Sequence, residues 1–280
     1  MTPRLSIIIV NFNGRGHLES CLRSLAEHPP AVPTEVIVVD NASTDGSAST
    51  VAEWPSVRLV PLARNVGFSA GNNVGIRAST GEYLLLLNND TVVPKDALTR
   101  LLERHEADPS VGISGPRLVD GNGDAELSFG PMISPLGELR QKILMTLHAR
   151  GFGPVSRWVE SATRRERYVD WVSGACLLVR RDIADSVGLL DERYFLYTED
   201  VDFCASVRQR GWKVLFTPAA EIVHLRGRSR ATAARALNVA YRRSHLAFYA
   251  KHHPRMVPLL RLYLKVRGHL PDDGDPEVKR

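Results

Sequence analysis

Along the first 120 residues, short apolar runs alternate with stretches of helical spacing. Residues 5–11 (LSIIIVN) form a continuous apolar run of the length of a buried strand. Leu18, Leu22 and Leu25 follow at i, i+4 and i+7, the spacing of one helical face. Residues 35–40 (EVIVVD) predict a second strand, 41–46 a turn feeding a short helix, and 57–62 a third strand. A helix over 69–79 and a fourth strand over 82–87 come next, and Pro94 opens a further helix at the first-turn position that proline tolerates. Strands buried on both faces and separated by helices predict an α/β fold with a mostly parallel, right-handed sheet. From about 111 to 170 the pattern is irregular, with a Gly/Asp-rich turn at 120–124 and an Arg-rich stretch at 157–167. Order returns with an apolar run at 171–179, a helix at about 199–210, and strands near 213–217 and 221–225. Two helices, roughly 231–252 and 255–268, precede an acidic, frayed end.

Composition narrows the classes. With 280 residues, 44% hydrophobic and 24% charged, the chain suits one large α/β domain or two small ones and excludes a disordered protein. No apolar run approaches the roughly 18 residues of a membrane-spanning helix. The first strand follows Met-Thr-Pro-Arg directly, an arrangement that predicts no signal peptide. Cys21, Cys176 and Cys204 lack CxxC spacing, so a disulfide framework and a zinc site are not expected, and a reducing, cytoplasmic setting fits. The net charge of +5 is unevenly placed: eleven Lys or Arg and no Asp or Glu lie between Arg226 and Arg267, which leaves the rest at −6. A basic tail on an acidic body predicts an anionic partner, either a membrane surface or nucleic acid. In the last helix Met256, Leu259, Leu260, Tyr263 and Val266 form an apolar stripe, with Arg261 and Lys265 roughly opposite. Such a helix packs on the body, lies in a membrane interface, or does both.

Ligands of open α/β sheets bind beyond the carboxyl ends of the strands. Three polar clusters stand at such ends: Asn11-Phe12-Asn13, Asp40-Asn41 and Asn88-Asn89-Asp90. The carboxylate of Asp90 suits a hard divalent cation shared with phosphate oxygens, or else an Asx turn ahead of a helix. Asp40 suits a nucleobase N–H or ribose hydroxyl, or else a cap. Arg64 reaches a phosphate or is a solvated surface residue. Gly67, Gly71 and Gly75, four apart, suggest close helix packing rather than a phosphate-binding loop. Glu199, Asp200 and Asp202 follow Tyr194-Phe195-Leu196-Tyr197. They either complement a helix dipole or include a partly desolvated general base. His224 ends an apolar run and is a core residue or, with Asp90, part of a metal site.

Taken in order, the motifs resemble glycosyltransferase family 2, inverting nucleotide-sugar-dependent enzymes of GT-A fold. The segments are SIIIVNFNG (6–14), VIVVDNASTDGS (36–47), NVGFSAGNNVGI (65–76), LLLNNDTVVP (85–94), WVSGACLLVRR (171–181), LLDERYFLYTEDVDFCASVRQRGW (189–212) and EIVHLRGRS (221–229). Together they span roughly residues 4–250. The resemblance implies a catalytic domain over 1–230, divided into a nucleotide-sugar half (1–120) and an acceptor half (121–230), followed by a basic helical extension (231–280). It implies Val10 and Phe12 at the base, Asp40 with Asn41 on the pyrimidine, and Arg64 near base or phosphate. Asn88, Asn89 and Asp90 stand at the family's DxD position, with Asp90 and His224 as ligands of Mn²⁺ or Mg²⁺. The first acidic position of that motif is here an asparagine, which puts the strength of metal binding in question. Asp200 matches the catalytic base with Glu199 beside it, while Trp171, Ser173, Gly174 and Asp202 fall to the sugar and acceptor.

The segment DERYFLYTEDVDFC looks most like bacterial rhamnosyltransferases that use dTDP-rhamnose on lipid-linked or surface-polysaccharide acceptors. That likeness implies a peripheral location on the cytoplasmic membrane face, reached through the C-terminal helices, and no nucleic-acid partner. Transfer of galactofuranose, GlcNAc or glucose from UDP donors is the alternative within the family. A non-catalytic sugar-nucleotide-binding protein is the alternative outside it.

Overall fold

A computed structural model describes residues 2–225 and 234–271. The expected segment 226–229, the start of the helix at 231 and the acidic end lie outside these residues. The first half contains β1 (Leu5–Asn11), α1 (Arg15–Glu27), β2 (Thr34–Asp40), α2 (Ser47–Val51), β3 (Val57–Pro61), α3 (Phe68–Ala78), β4 (Tyr83–Leu87), β5 (Thr91–Val92), α4 (Ala97–Glu106) and β6 (Val111–Val119). Next come β7 (Ala125–Glu126), β8 (Phe129–Gly130), α5 (Pro135–Ala149), α6 (Gly153–Thr163), β9 (Arg167–Val169), β10 (Trp171–Val172), β11 (Cys176–Arg180) and α7 (Arg181–Ser186). The remainder is α8 (Glu199–Gln209), β12 (Lys213–His224), α9 (Ala234–His252), a short 3₁₀ turn, and α10 (Val257–Val266).

The main sheet runs β3-β2-β1-β4-β11-β6-β12-β5, with β7 added beside β6 and β9 beside β12. The strands β1 to β4, β6 and β12 share one direction, and β11 runs against them between β4 and β6. The expected mostly parallel α/β sheet is therefore present, with one reversed strand in its centre. Helices cover both faces, over two apolar clusters. One is built on Ile7, Ile9, Leu18, Leu22 and Leu101, the other on Ile8, Leu177, Phe203, Phe216 and Phe248. Phe248 of α9 and Leu264 of α10 are fully buried in the second cluster, so both C-terminal helices belong to the body.

Three departures from the sequence reading have physical reasons. The irregular region holds β6, whose nine residues are all buried in mid-sheet. Its pattern is disguised by Gly112, Gly115, Pro116 and Arg117. A Cβ on Gly112 would lie 2.7 Å from Trp212, and one on Gly115 would lie 2.5 Å from Val172. Pro116 sits where the β6–β12 register breaks, the place a strand proline is tolerated, and Arg117 is buried against Glu160 and Glu221. Pro94 does not open α4, because Asp96 adopts φ 61° and starts the helix at Ala97. In α10 the buried pair is Leu260 and Leu264, whereas Leu259, Leu262, Tyr263 and Val266 are exposed. The helix thus has one packed apolar face and one facing outward.

Close packing accounts for the glycines of α3. A Cβ on Gly71 would stand 2.9 Å from Val10, and one on Gly75 would run into Ile8 of β1. Gly75→Ala is expected to destabilise the fold by about 1–3 kcal/mol, the usual cost of overpacking. An unchanged urea midpoint for that variant would show that the α3–β1 contact is loose.

Candidate active site

The carboxyl ends of β1 and β4 open into a cavity of about 510 Å³, closed on its far side by β7, β10 and the N-terminus of α8. Val10, Phe12, Asn41, Asn88, Asn89, Asp90, Trp171, Ser173, Gly174, Glu199, Asp200 and His224 all line it. Residues far apart in sequence therefore meet here, as the motif order implies.

One edge is set by strand register. β5 pairs antiparallel with β12, Thr91 opposite His224, and Asp90 O accepts from Leu225 N at 2.8 Å. This brings His224 Nε2 within 3.3 Å of Asp90 Oδ1. The other ring nitrogen, Nδ1, lies 3.2 Å from Glu126 Oε2, on the two-residue strand β7. Burial pulls the His224 imidazolium down, but bonds to Asp90 and Glu126 and their charges outweigh it and push its pKa up to about 9. A carboxylate behind a histidine fixes ring orientation and tautomer, the arrangement that supports histidine metal ligands. Among the described residues no group of three or more His, Cys, Asp or Glu could hold a metal ion unaided. An oxygen from Asp90 and a nitrogen from His224 nonetheless fit a hard cation that takes its other ligands from phosphate and water.

The opposite edge is the start of α8. Tyr197 and Thr198 both adopt left-handed φ, 70° and 65°, and turn the chain so that Glu199 and Asp200 enter the helix at the cavity wall. Asp200 Oδ2 accepts from Gly174 N and Oδ1 from Val201 N, both at 2.8 Å. A Cβ on Gly174 would stand 3.3 Å from that of Asp200, so the small residue permits the close approach. Burial raises the Asp200 pKa against the pull of these backbone donors. Glu199 is only 5% exposed, and its Oε2 has no hydrogen bond among the described residues. Burial, reinforced by the charge of Asp200, pushes its pKa well above the usual carboxylate range. The pair therefore favours a protonated Glu199 beside an ionised Asp200.

Three predicted site residues lie elsewhere. Asp40 stands at the end of β2 behind Asn41. Its Oδ2 accepts from Ser43 N at 3.1 Å, and its Oδ1 is buried with no hydrogen bond among the described residues. Arg64 is exposed and does not line the cavity. Asp202 is buried on the far side of the α8 turn, bonded to Tyr194, Lys251 and His252, because a residue two on from Asp200 points away from it. Asn41 lines the cavity, but its side chain is engaged with Asn65, Val66 and Gly67, where it holds the loop before α3. The sequence reading missed Glu126, which sits in a strand too short to show a period; Tyr197, named beside the acidic cluster, also lines the cavity.

The sheet, with this cavity at its carboxyl edge, has the GT-A fold of glycosyltransferases. A mannosyltransferase, PcManGT from Pyrobaculum calidifontis, solved with GDP-Man and Mn²⁺, matches with a TM-score of 0.62 at 22% identity. That match covers 97% of this chain and 73% of the other. GalNAc-T7, solved with UDP, GalNAc and Mn²⁺, matches with a TM-score of 0.60 at 16% identity, over 88% of this chain and 48% of that one. The family model described as Glycosyl transferase family 2 matches residues 6–162, and the chain belongs to that family. It is a glycosyltransferase. A curated relative, the N-acetylglucosaminyl-diphospho-decaprenol L-rhamnosyltransferase of Mycobacterium tuberculosis, is 32% identical over 96% of this chain and 93% of its own length.

Glu199 gives this site a pH signature in stability. Its folded pKa is raised above the unfolded value, so the folded state binds more protons in the window between the two. Its contribution is intact below the unfolded pKa and is lost as pH rises toward the folded one. Glu199→Gln is therefore expected to be more stable than wild type at about pH 8 and little different at about pH 4. Urea midpoints at both pH values check this, and a variant less stable at the higher pH would place a partner on Glu199.

Proposed function

We propose that this chain transfers L-rhamnose from dTDP-rhamnose to a hydroxyl of a lipid-linked glycan, with inversion at the anomeric carbon. The reading rests on one juxtaposition: the Asp90–His224 pair and the Asp200 carboxylate face one cavity from opposite edges. Likeness to a relative of that activity over nearly the whole of both chains supports the sugar and the acceptor class.

In this reading the donor's diphosphate lies toward Asp90 and His224, and Val10 and Phe12, which line the cavity, hold the base. Mn²⁺ or Mg²⁺ held by Asp90 and His224 would stabilise the charge that grows on the departing diphosphate. Glu126 keeps the His224 ring turned for that role. The acceptor enters over Trp171, Ser173 and Gly174. Asp200 takes the proton of its hydroxyl while the oxygen forms a bond to the anomeric carbon and the bond to dTDP breaks. The two N–H donors on Asp200 fix its direction, and the raised pKa makes it a stronger base than a solvated aspartate. Glu199, protonated, can donate to the acceptor or to Asp200 without adding charge. The exposed apolar side of α10, with Arg261, Lys265 and Arg267 beside it, supports a peripheral contact with the cytoplasmic membrane face. Among the described residues no helix is long and apolar enough to cross a membrane.

Asp200→Asn is expected to lower kcat by about 10²–10⁴-fold, the usual worth of a general base, with donor affinity near wild type. Near-normal turnover would remove Asp200 from the chemistry. Nucleoside diphosphate release from dTDP-rhamnose, UDP-galactofuranose, UDP-GlcNAc and UDP-glucose, each with Mn²⁺, tests the donor. Release fastest from a UDP-sugar would replace rhamnose in the reading and leave the base assignment standing. Asp90→Ala and His224→Ala should each lose the Mn²⁺ dependence of nucleotide binding in calorimetric titrations. Binding that responds to chelator as in wild type would take both residues out of the metal site.

A further inference from the structure

Two further helices, α5 and α6, form a hairpin that the catalytic reading does not use. Its ends are tied down next to the site. Trp171 Nε1 in the cavity wall donates to Pro131 O at 2.8 Å, just before α5, and Tyr249 Oη of α9 donates to Glu138 Oε2 at 2.9 Å. Within the hairpin His148 Nδ1 lies 3.1 Å from Ser156 Oγ, and His148 Nε2 lies 3.0 Å from the carbonyl of Ala125, the neighbour of Glu126. The part between these ties faces outward. Ile143 and Phe152 are each 51% exposed and Trp158 is 43% exposed, with Phe152 in the connection between the helices. From residue 139 to 159 the chain carries Arg140, Lys142, Arg150 and Arg157, all exposed, and no Asp or Glu.

Three large apolar side chains exposed within one helical hairpin are a liability in water unless something covers them. The covering surface has to accept an aromatic ring at a helical connection and be anionic along the flanks. Those are the properties of the headgroup region of an anionic bilayer, where Trp and Phe seat at the interface and Lys and Arg meet lipid phosphates. A second copy of the chain would place these four cations against their equivalents if the face paired with itself.

We propose that the α5–α6 hairpin is a lipid-docking element that seats Phe152, Trp158 and Ile143 in an anionic membrane surface, beside the acceptor side of the cavity. With α10 it gives the enzyme two contacts on the bilayer. Two contacts fix the tilt of the cavity over the membrane, whereas one would leave it free to swing. The proposal deepens the reading of a lipid-linked acceptor, but its test involves neither donor nor transfer.

The test is sedimentation of the full chain with vesicles of phosphatidylglycerol and phosphatidylcholine in equal parts, and with phosphatidylcholine alone. Wild type is expected to bind the anionic vesicles more strongly. The variant Ile143→Ser/Phe152→Ser/Trp158→Ser is expected to lose at least about tenfold in partitioning, as removal of three interfacial apolar groups requires. Arg140→Gln/Arg150→Gln/Arg157→Gln should lose about fivefold per charge on the anionic vesicles and little on the neutral ones. All six positions are exposed, and circular dichroism of the free proteins confirms folding. Hairpin variants that partition like wild type, while Leu259→Ser/Leu262→Ser in α10 alone abolishes binding, would overturn the proposal. So would a wild-type dimer in sedimentation equilibrium that the hairpin variants convert to monomer, because the face would then be covered by a second copy.

Discussion

The site depends on keeping two adjacent carboxylates, Glu199 and Asp200, where water is scarce. A buried carboxylate is costly unless hydrogen bonds meet it, and the chain meets only part of the demand. Asp200 receives two backbone N–H groups at a helix start, where the dipole also favours negative charge. Glu199 has an oxygen with no partner among the described residues, so it is better off neutral. The chain reaches this arrangement through two consecutive left-handed residues, Tyr197 and Thr198, which local preference disfavours. Neighbours on both sides hold them there. Phe68 N donates to Phe195 O, Ser244 Oγ donates to Leu196 O, and Lys251 and His252 grip Asp202 in the first turn of α8. The C-terminal helix α9 is thereby part of what keeps Asp200 in place, although it lies far along the chain from it.

The other edge of the cavity is built by sheet register instead of strain. Asp90 follows β4, His224 ends β12 and Glu126 lies on β7, and these strands meet only because β11, β6 and β12 extend the parallel half of the sheet. A one-residue slip of β5 on β12 would turn His224 to the other face of the sheet. The long β6–β12 pairing, which carries the bulge between Thr217 and Glu221, guards that register. Fold and site are linked most directly there.

The parallel half of the fold was legible because β1 and β4 are buried on both faces and the strands are separated by helices, and residues 5–87 show both signals clearly. The centre of the sheet was not. β6 carries glycines, a proline and a buried arginine, each explained by a neighbour invisible in sequence: Trp212, Val172, the break in β12, Glu160 and Glu221. Helices α5 and α6 were hidden by an apolar pattern that serves an outward face as well as a packed one. Asp90, Asp200 and His224 were singled out through motif order, and the structure adds that all three line one cavity. Asp202 shows the limit of that reading: clustered with Asp200 in sequence, it points the opposite way and clamps α9.

Charge balance joins these parts. Asp90, Glu126, Glu199 and Asp200 all line one cavity, and among the described residues no Lys or Arg does. A nucleoside diphosphate entering there meets carboxylates, with His224 as the nearest offset. Repulsion of that kind grows sharply as water is excluded, and a divalent cation accompanying the donor, as the proposed function has it, would offset it. Asn88 suits the same balance. An aspartate there would strengthen the hold on a cation but add a further charge beside the diphosphate, whereas the asparagine would leave Asp90 and His224 to hold it. Exposed cations stand instead on the α5–α6 hairpin and on α10. Under the proposed function that separation assigns the acidic interior to the sugar nucleotide with its cation and the basic exterior to an anionic surface, within a net charge of only +5.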